Sequence, residues 1–313
     1  MQNDSLLETI DPEVVDRLVA HKKELDRGMS SGMAAALALG SVPVALAALS
    51  KSAKAQTSTV TDVLNFALAL EICETEFYKA VLGTSAYAPY NTAFATVRAA
   101  AAAVPTAVAT IQQIQKHEAA HVATLMAAGA TDVFGVIVTT TNAKFDFTGN
   151  RSATGGGPFA AATTDLPFLL TVAQGAEDTG VRAYKGQAAN LMSNATALET
   201  ALRIHSVEAR HASKIRRLRR LAGGAGTTVR LSGTVRGGGA AAAGATGSPS
   251  TAVVAAFDKI YAGEDNVTQA GVNVSTLSNA NFGTEAAQEA FDEPLDRASV
   301  IAIVQPFFIP TIA

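Results

Sequence analysis

Apolar residues return at three- and four-residue intervals in four long stretches of the chain, the spacing of helices with one buried face. The first is "TSTVTDVLNFALALEICETEFYKAVLG", with Thr61 or a neighbouring Ser/Thr as its cap and Gly83 as its stop. The second, "NTAFATVRAAAAAVPTAVATIQQIQKHEAAHVATLMAAGA", is helical throughout, with Pro105 suited to the first turn of a new helix and Gly129 as the stop. The third, "DLPFLLTVAQGAEDTGVRAYKGQAANLM", opens on Asp165 and Pro167, and Asn194 caps the fourth, "ATALETALRIHSVEARHASKIRRLRRLAGG". Between the second and third, residues 131–164 are β-branched, aromatic and Gly-rich, which predicts a long crossover with a short hairpin. The pattern therefore predicts an all-α fold, a four-helix bundle whose second and third helices are joined by the long connection. Residues 223–250 read as a Gly/Ala linker. The last stretch holds short helical pieces that pack back on the bundle, so the expected division is 1–55, 56–222 and 223–313.

The N-terminus carries a different pattern. Residues 32–49, "GMAAALALGSVPVALAAL", contain no charge, follow the basic "HKKELDRG" and precede an A-x-A ending at Ala53–Ala55. These are the three parts of an export signal, and the apolar run is also long enough for a membrane anchor helix. An Ala-rich core helix is the bland alternative, and no twin-arginine pair precedes the run. The expected location is outside the cytoplasm, periplasmic or extracellular, with membrane association through residues 32–49 as the anchored variant. Composition changes the picture little. Hydrophobic residues make up 48% and charged residues 16%, which excludes a disordered chain, and a net charge of −3 gives no reason to expect nucleic acid as a partner. Cys73 is the single cysteine, so no intramolecular disulfide forms, and it reads as a small core side chain.

Candidate chemistry centres on "HEAAH" at His117–His121, which has the H-E-x-x-H form of a zinc protease. That reading needs a third ligand. Thr124 and Ala127 stand where the extended motif has Gly and His, and no glutamate occurs between Glu118 and Glu177. The same letters contain an E-x-x-H unit, Glu118 and His121, and "EARH" in the fourth helix repeats it as Glu208 and His211. That spacing sets carboxylate and imidazole one turn apart on one face, able to bind a single metal ion together. The first helix offers Glu71 with Tyr78 seven residues on, and the third offers Glu177 with Tyr184 at the same spacing. Lone, paired, lone, paired over four helices reads as a duplicated helix pair and supplies the ligand set of a dinuclear carboxylate site. Glu71, Glu118, His121, Glu177, Glu208 and His211 are the expected metal ligands, with Tyr78 and Tyr184 bonding to the metal shell. Glu74 is the alternative to Glu71. His117 is then a bystander, His205 a partly exposed helix histidine, Glu76 and Asp178 solvent-facing, and Arg216–Arg220 a solvated helix end.

The segments "LNFALALEICETEFY", "KHEAAHVATL", "AQGAEDTGVRAYKG" and "EARHASKIRRL" resemble the ferritin-like domain of bacterial exported proteins related to plant desiccation-related proteins. The tail "YAGEDNVTQAGVNV…AFDEPLDRASVIAIVQPF" is similar to the C-terminal part of that family. The helix motifs are shared with rubrerythrin-like and manganese-catalase-like proteins. The carboxylate and imidazole ligands suit two iron ions, or manganese, as cofactors, with O2 or H2O2 as reaction partners. Ferroxidase or oxidant-scavenging activity is the leading expectation. Peroxide dismutation on manganese and a structural, stress-protective bundle with a vestigial site stay open, as does a homo-oligomer.

Overall fold

The computed structural model describes residues 59–222, 251–276 and 283–312. The expected N-terminal hydrophobic helix and the Gly/Ala linker at 223–250 lie outside the described residues. Four long helices dominate: α1 (Val60–Leu82), α4 (Ala107–Ala127), α5 (Leu166–Gln187) and α6 (Ala195–Leu221). Two short helices, α2 (Ala88–Ala93) and α3 (Ala95–Ala102), lead into α4. The helical region is broken at Phe94, which was not expected, and again at 103–106, near the new start expected at Pro105, where Thr106 takes a left-handed φ of 65°. Pro105 lies within this break, just before the Thr106 cap, and does not occupy the first turn of α4.

Local chemistry fixes the ends of the other three helices. Thr59, two residues before the expected Thr61, caps α1: its hydroxyl accepts from the Asp62 amide at 3.1 Å while the Asp62 carboxylate accepts from the Thr59 amide. This reciprocal pair satisfies two backbone donors that a helix start leaves free. Gly83 ends α1 with φ 79°, a conformation that costs a residue with a Cβ. Asp165 caps α5 and Asn194 caps α6, each accepting from the amide three residues on. Within the bundle, α1 packs mainly on α4 and α5 mainly on α6. Two helical hairpins thus face each other, and the crossover of residues 131–165 carries the chain from one to the other.

The crossover contains no hairpin of its own. Phe145 pairs instead with Phe308 near the C-terminus, and Asp146, Arg151 and Ile309 add backbone bonds between the same two segments. Phe145 and Phe159 thus pack against Phe308 and Phe307 of the tail, while Val133 and Ile137 stay exposed. Tyr90 anchors this seam: its hydroxyl donates to Phe145 O at 2.7 Å and accepts from the Phe145 and Lys144 amides. The tail holds α7 (Thr251–Ile260), α8 (Gly283–Glu289), α9 (Arg297–Val304) and a two-residue hairpin, β1 (Thr268–Gln269) against β2 (Val272–Asn273), which sequence reasoning missed. Both α7 and α9 pack on α5. Arg182, 1% exposed on α5, donates to the carbonyls of Glu293 and Ala262, each at 2.6 Å, and of Ile260. Gly186 lets the chain pass against the helix, since a Cβ there would lie 1.8 Å from Leu295 O.

Two expectations about surface charge are also corrected. Asp178 and Glu76 are both buried. Asp178 receives Arg216 at 2.6 Å and the Tyr261 hydroxyl at 2.7 Å, while Glu76 receives Ser85 and Lys79. The basic run is divided accordingly: Arg217 and Arg220 face solvent, but Arg219 is buried and donates to Gln174 at 3.0 Å. Among the described residues no helix is long and apolar enough to cross a membrane.

Candidate metal centre

Each of the four long helices turns a carboxylate to the bundle axis. Glu71 on α1, Glu118 on α4, Glu177 on α5 and Glu208 on α6 are all at most 1% exposed, and His121 and His211 are buried beside them. Together they form two overlapping groups of ligand atoms, each within 4.8 Å of one another: Glu71, Glu118, His121 and Glu208; and Glu118, Glu177, Glu208 and His211. The six residues picked out by spacing therefore meet in space. Glu118 and Glu208 belong to both groups, while Glu71 and Glu177 belong to one each. The glutamates of the two E-x-x-H units are thus the shared ones, and the lone glutamates Glu71 and Glu177 cap one group each. Glu74 belongs to neither group.

The two imidazoles take equivalent positions. His121 Nδ1 lies 2.9 Å from Glu118, 3.1 Å from Glu71 and 3.4 Å from Glu208. His211 Nδ1 lies 2.7 Å from Glu118, 3.3 Å from Glu177 and 4.0 Å from Glu208. Burial opposes charge on both rings, yet the facing carboxylates outweigh it and push His121 up to about 12 and His211 to about 9. For Glu118, burial prevails over the pull of the two histidines beside it, and its carboxyl is raised to about 7. Burial first, and then the neighbouring carboxylates, hold Glu208 well above the ordinary range.

The tyrosines bond across the molecule. Tyr78 on α1 donates to Glu177 on α5, and Tyr184 on α5 donates to Glu71 on α1 at 2.5 Å. Sequence spacing placed each tyrosine on the face of the glutamate in its own helix. The structure places it on the glutamate of the opposite pair, because facing helices bring their inward residues within reach at the same height. His117 is more than a bystander. Its Nδ1 lies 2.9 Å from His211 Nε2, the ring nitrogen that points away from the carboxylates, and its Nε2 lies 2.6 Å from Gln113. The stacked His117 and His211 rings were foreseeable only from the pairing of α4 with α6. His205, by contrast, bonds to Val181 O at 2.9 Å and takes no part in either group.

A divalent cation pair fits this donor set. Glu118 Oε1, Glu177 Oε2, both oxygens of Glu208 and His211 Nδ1 are buried without any hydrogen-bond partner. Glu118 Oε1 and His211 Nδ1 are near each other but off the axis of a hydrogen bond, as ligands converging on a common cation are. No Lys or Arg among the described residues pairs with the four carboxylates. Two imidazolium rings leave four buried carboxylates only half balanced, a strongly disfavoured arrangement, whereas two dications would balance all four. Imidazole and carboxylate donors suit iron or manganese.

The centre has two different flanks. A polar groove of about 410 Å³ between α4 and α6 reaches His121 past Thr124, Glu199, Thr200 and Arg203. On the other side an apolar cavity reaches Glu74. Cys73 faces that cavity and is not fully packed into the core, and burial pushes its thiol well up.

Two E-x-x-H units and two lone glutamates projecting into the axis of a four-helix bundle define the class of helical proteins with a carboxylate–histidine core. The family is then direct: a model described as the ferritin-like domain matches residues 59–221, and the chain belongs to that family. The match covers all four long helices and every residue of the two ligand groups. No curated protein and no solved structure gives a match.

Proposed function

We infer that the chain is a di-metal carboxylate oxidoreductase, with two iron ions as the metal pair and Fe(II), O2 or peroxide as its substrates. The observation that supports this most is the set of buried, unpartnered carboxylate oxygens shared between two histidine-containing groups. Glu71 and His121 would hold one ion and Glu177 and His211 the other, with Glu118 and Glu208 common to both. A bound pair would supply two electrons in one place to an oxidant, the chemistry that a single redox metal or a zinc ion lacks.

The chain's own residues account for the rest. Tyr78 and Tyr184 each take up one oxygen of a capping glutamate, so the other oxygen stays turned to the centre. His117 engages His211 Nε2, which orients the ring and leaves Nδ1 for the ion. Burial of all four carboxylates excludes bulk water and strengthens every charge interaction inside. The groove beside His121 is lined by threonine hydroxyls, the Glu199–Arg203 pair, Ile204 and Val207, and is wide enough to admit ions and peroxide.

The test is Fe(II) oxidation by the purified chain under O2 or H2O2, followed by absorbance. Turnover that disappears in Glu118→Ala and Glu208→Ala supports the reading, and Fe(II) that oxidises no faster with the chain than without it sinks it. Manganese with peroxide dismutation is the alternative that the same donors admit, and O2 release from H2O2 by the manganese-loaded chain would favour it. A metal-free protective bundle predicts neither reaction. Export is part of the proposal and rests on residues 32–55. An intact mass showing cleavage after Ala55 would support a soluble exported form, retention of residues 1–55 an anchored one.

A further inference from the structure

The apolar flank of the centre is built differently from the rest of the core. Helix α5 presents Gly175, Ala176, Thr179 and Gly180 on one face, and the small side chains leave a cavity of about 90 Å³ between α1, α5, the crossover and the tail. Six phenylalanines line it: Phe77, Phe147, Phe159, Phe257, Phe307 and Phe308. An apolar cavity of this order has room for one small ring at most, not a long acyl chain. Its one ionisable carboxyl is Glu74, which protein encloses on all sides but which keeps accessible surface because it faces the cavity. Among the described residues Glu74 has no hydrogen-bond or ion-pair partner.

The cavity adjoins the metal ligands. Glu74 stands one turn from Glu71 on α1 and lies within electrostatic reach of all four central carboxylates. From the opposite wall, a Cβ at Gly180 would lie 2.7 Å from Glu208 Oε2, so Gly180 separates cavity and centre by no more than its own backbone.

We propose that this cavity binds a monocyclic phenol or hydroquinone, its ring among the phenylalanines and its hydroxyl on the Glu74 carboxyl, as the organic reductant of the centre. Aromatic rings pack edge-to-face and offset against such a lining, and a phenolic hydroxyl supplies the partner that Glu74 lacks. The step balances with peroxide as the oxidant: one hydroquinone and one H2O2 give one benzoquinone and two waters. The hydroquinone loses two electrons and two protons, the O–O bond breaks, and Glu74 relays a phenolic proton. Binding stands on the cavity alone; the reductant role rests on the di-metal reading.

The experiment uses the full chain, metal-free and iron-loaded. Phenol is titrated calorimetrically into both forms, and benzoquinone formation from hydroquinone and H2O2 is followed by absorbance. Saturable binding of one phenol per chain is expected. Ala256→Trp and Ala176→Phe, which fill the cavity from the tail and from α5, are expected to weaken phenol at least tenfold and to raise the KM for hydroquinone likewise. Glu74→Leu is expected to weaken phenol at least tenfold while benzene binding holds, a split that mere unfolding would not give. Iron content and helical circular dichroism show which variants fold. Failure of phenol to saturate, or hydroquinone turnover unchanged in both filled variants, overturns the proposal. If the chain oxidises Fe(II) but binds no phenol, the cavity proposal falls and the di-metal reading stands. If phenol binds but the chain takes up no metal, the reductant role falls together with that reading.

Discussion

The α1–α4 hairpin and the α5–α6 hairpin carry the same letters at the centre and different letters one step away from it. Glu71 with Tyr78 matches Glu177 with Tyr184, and Glu118 with His121 matches Glu208 with His211. Three residues after each lone glutamate, however, one hairpin has Glu74 and the other Gly180; immediately before each paired glutamate, one has His117 and the other Val207. The shared positions build a symmetric set of ligands. The unshared ones decide what reaches it: Glu74 and Gly180 lie on the apolar cavity, Val207 lines the polar groove at His121, and His117 covers His211. A duplicated pair of helices can thus keep its centre and diverge at the flanks.

Removing a shared carboxylate should break the symmetry most. Glu118→Ala or Glu208→Ala is expected to abolish binding of both ions, whereas Glu71→Ala or Glu177→Ala removes a ligand from one group only. Metal content per chain distinguishes them, and equal loss in all four would contradict the assignment of shared and capping roles. Gly180→Ala comes next. Its Cβ would meet Glu208 Oε2 at 2.7 Å and displace a shared ligand, so metal binding should fall sharply although the change adds one carbon. His117→Ala is expected to weaken binding about 10- to 100-fold, as loss of a partner to a ligating histidine does, while Val207→Ala leaves it near the parent value. A competition titration with a chelator reads both.

Much of this was legible in the sequence. The four helices, three of their caps, the crossover and all six central residues follow from spacing, because helix periodicity and ligand spacing obey the same geometry. What spacing could not supply was which helix faces which. That is why the tyrosines could be assigned to the metal shell but not to a particular glutamate, and why His117 lost its partner once the protease motif was set aside. Burial of Asp178 was equally out of reach, since it depends on a tail more than seventy residues away folding over α5. The hairpin expected at 131–164 failed for a related reason: β-branched letters call for a partner strand, and Phe308 of the tail supplies it.

The smaller effects concern protons and hydroxyls. In the metal-free chain, Glu118 is raised from 4.5 to about 7 and His211 from 6.5 to about 9. A value raised by folding favours the protonated form, so its contribution is complete below the unfolded value and is lost as pH climbs through the folded one. Metal-free stability should therefore decline from about pH 4.5 to 9, whereas metal affinity rises over the same span because the ligands must shed protons. Thermal unfolding of both forms against pH checks the opposed slopes, and parallel slopes would contradict them. Smallest of all, Tyr78→Phe and Tyr184→Phe should each cost about 1–3 kcal/mol of metal-bound stability, and by similar amounts, since each removes one hydrogen bond to a buried carboxylate. Chemical denaturation of the loaded chain measures the pair.

The central claim is that two hairpins contribute one dinuclear site, and metal analysis of the native chain purified without chelator tests it most directly. Two Fe or Mn per chain, lost in Glu118→Ala and Glu208→Ala, is the predicted result. A native chain that carries no metal and takes up neither Fe(II) nor Mn(II) when they are added would contradict it.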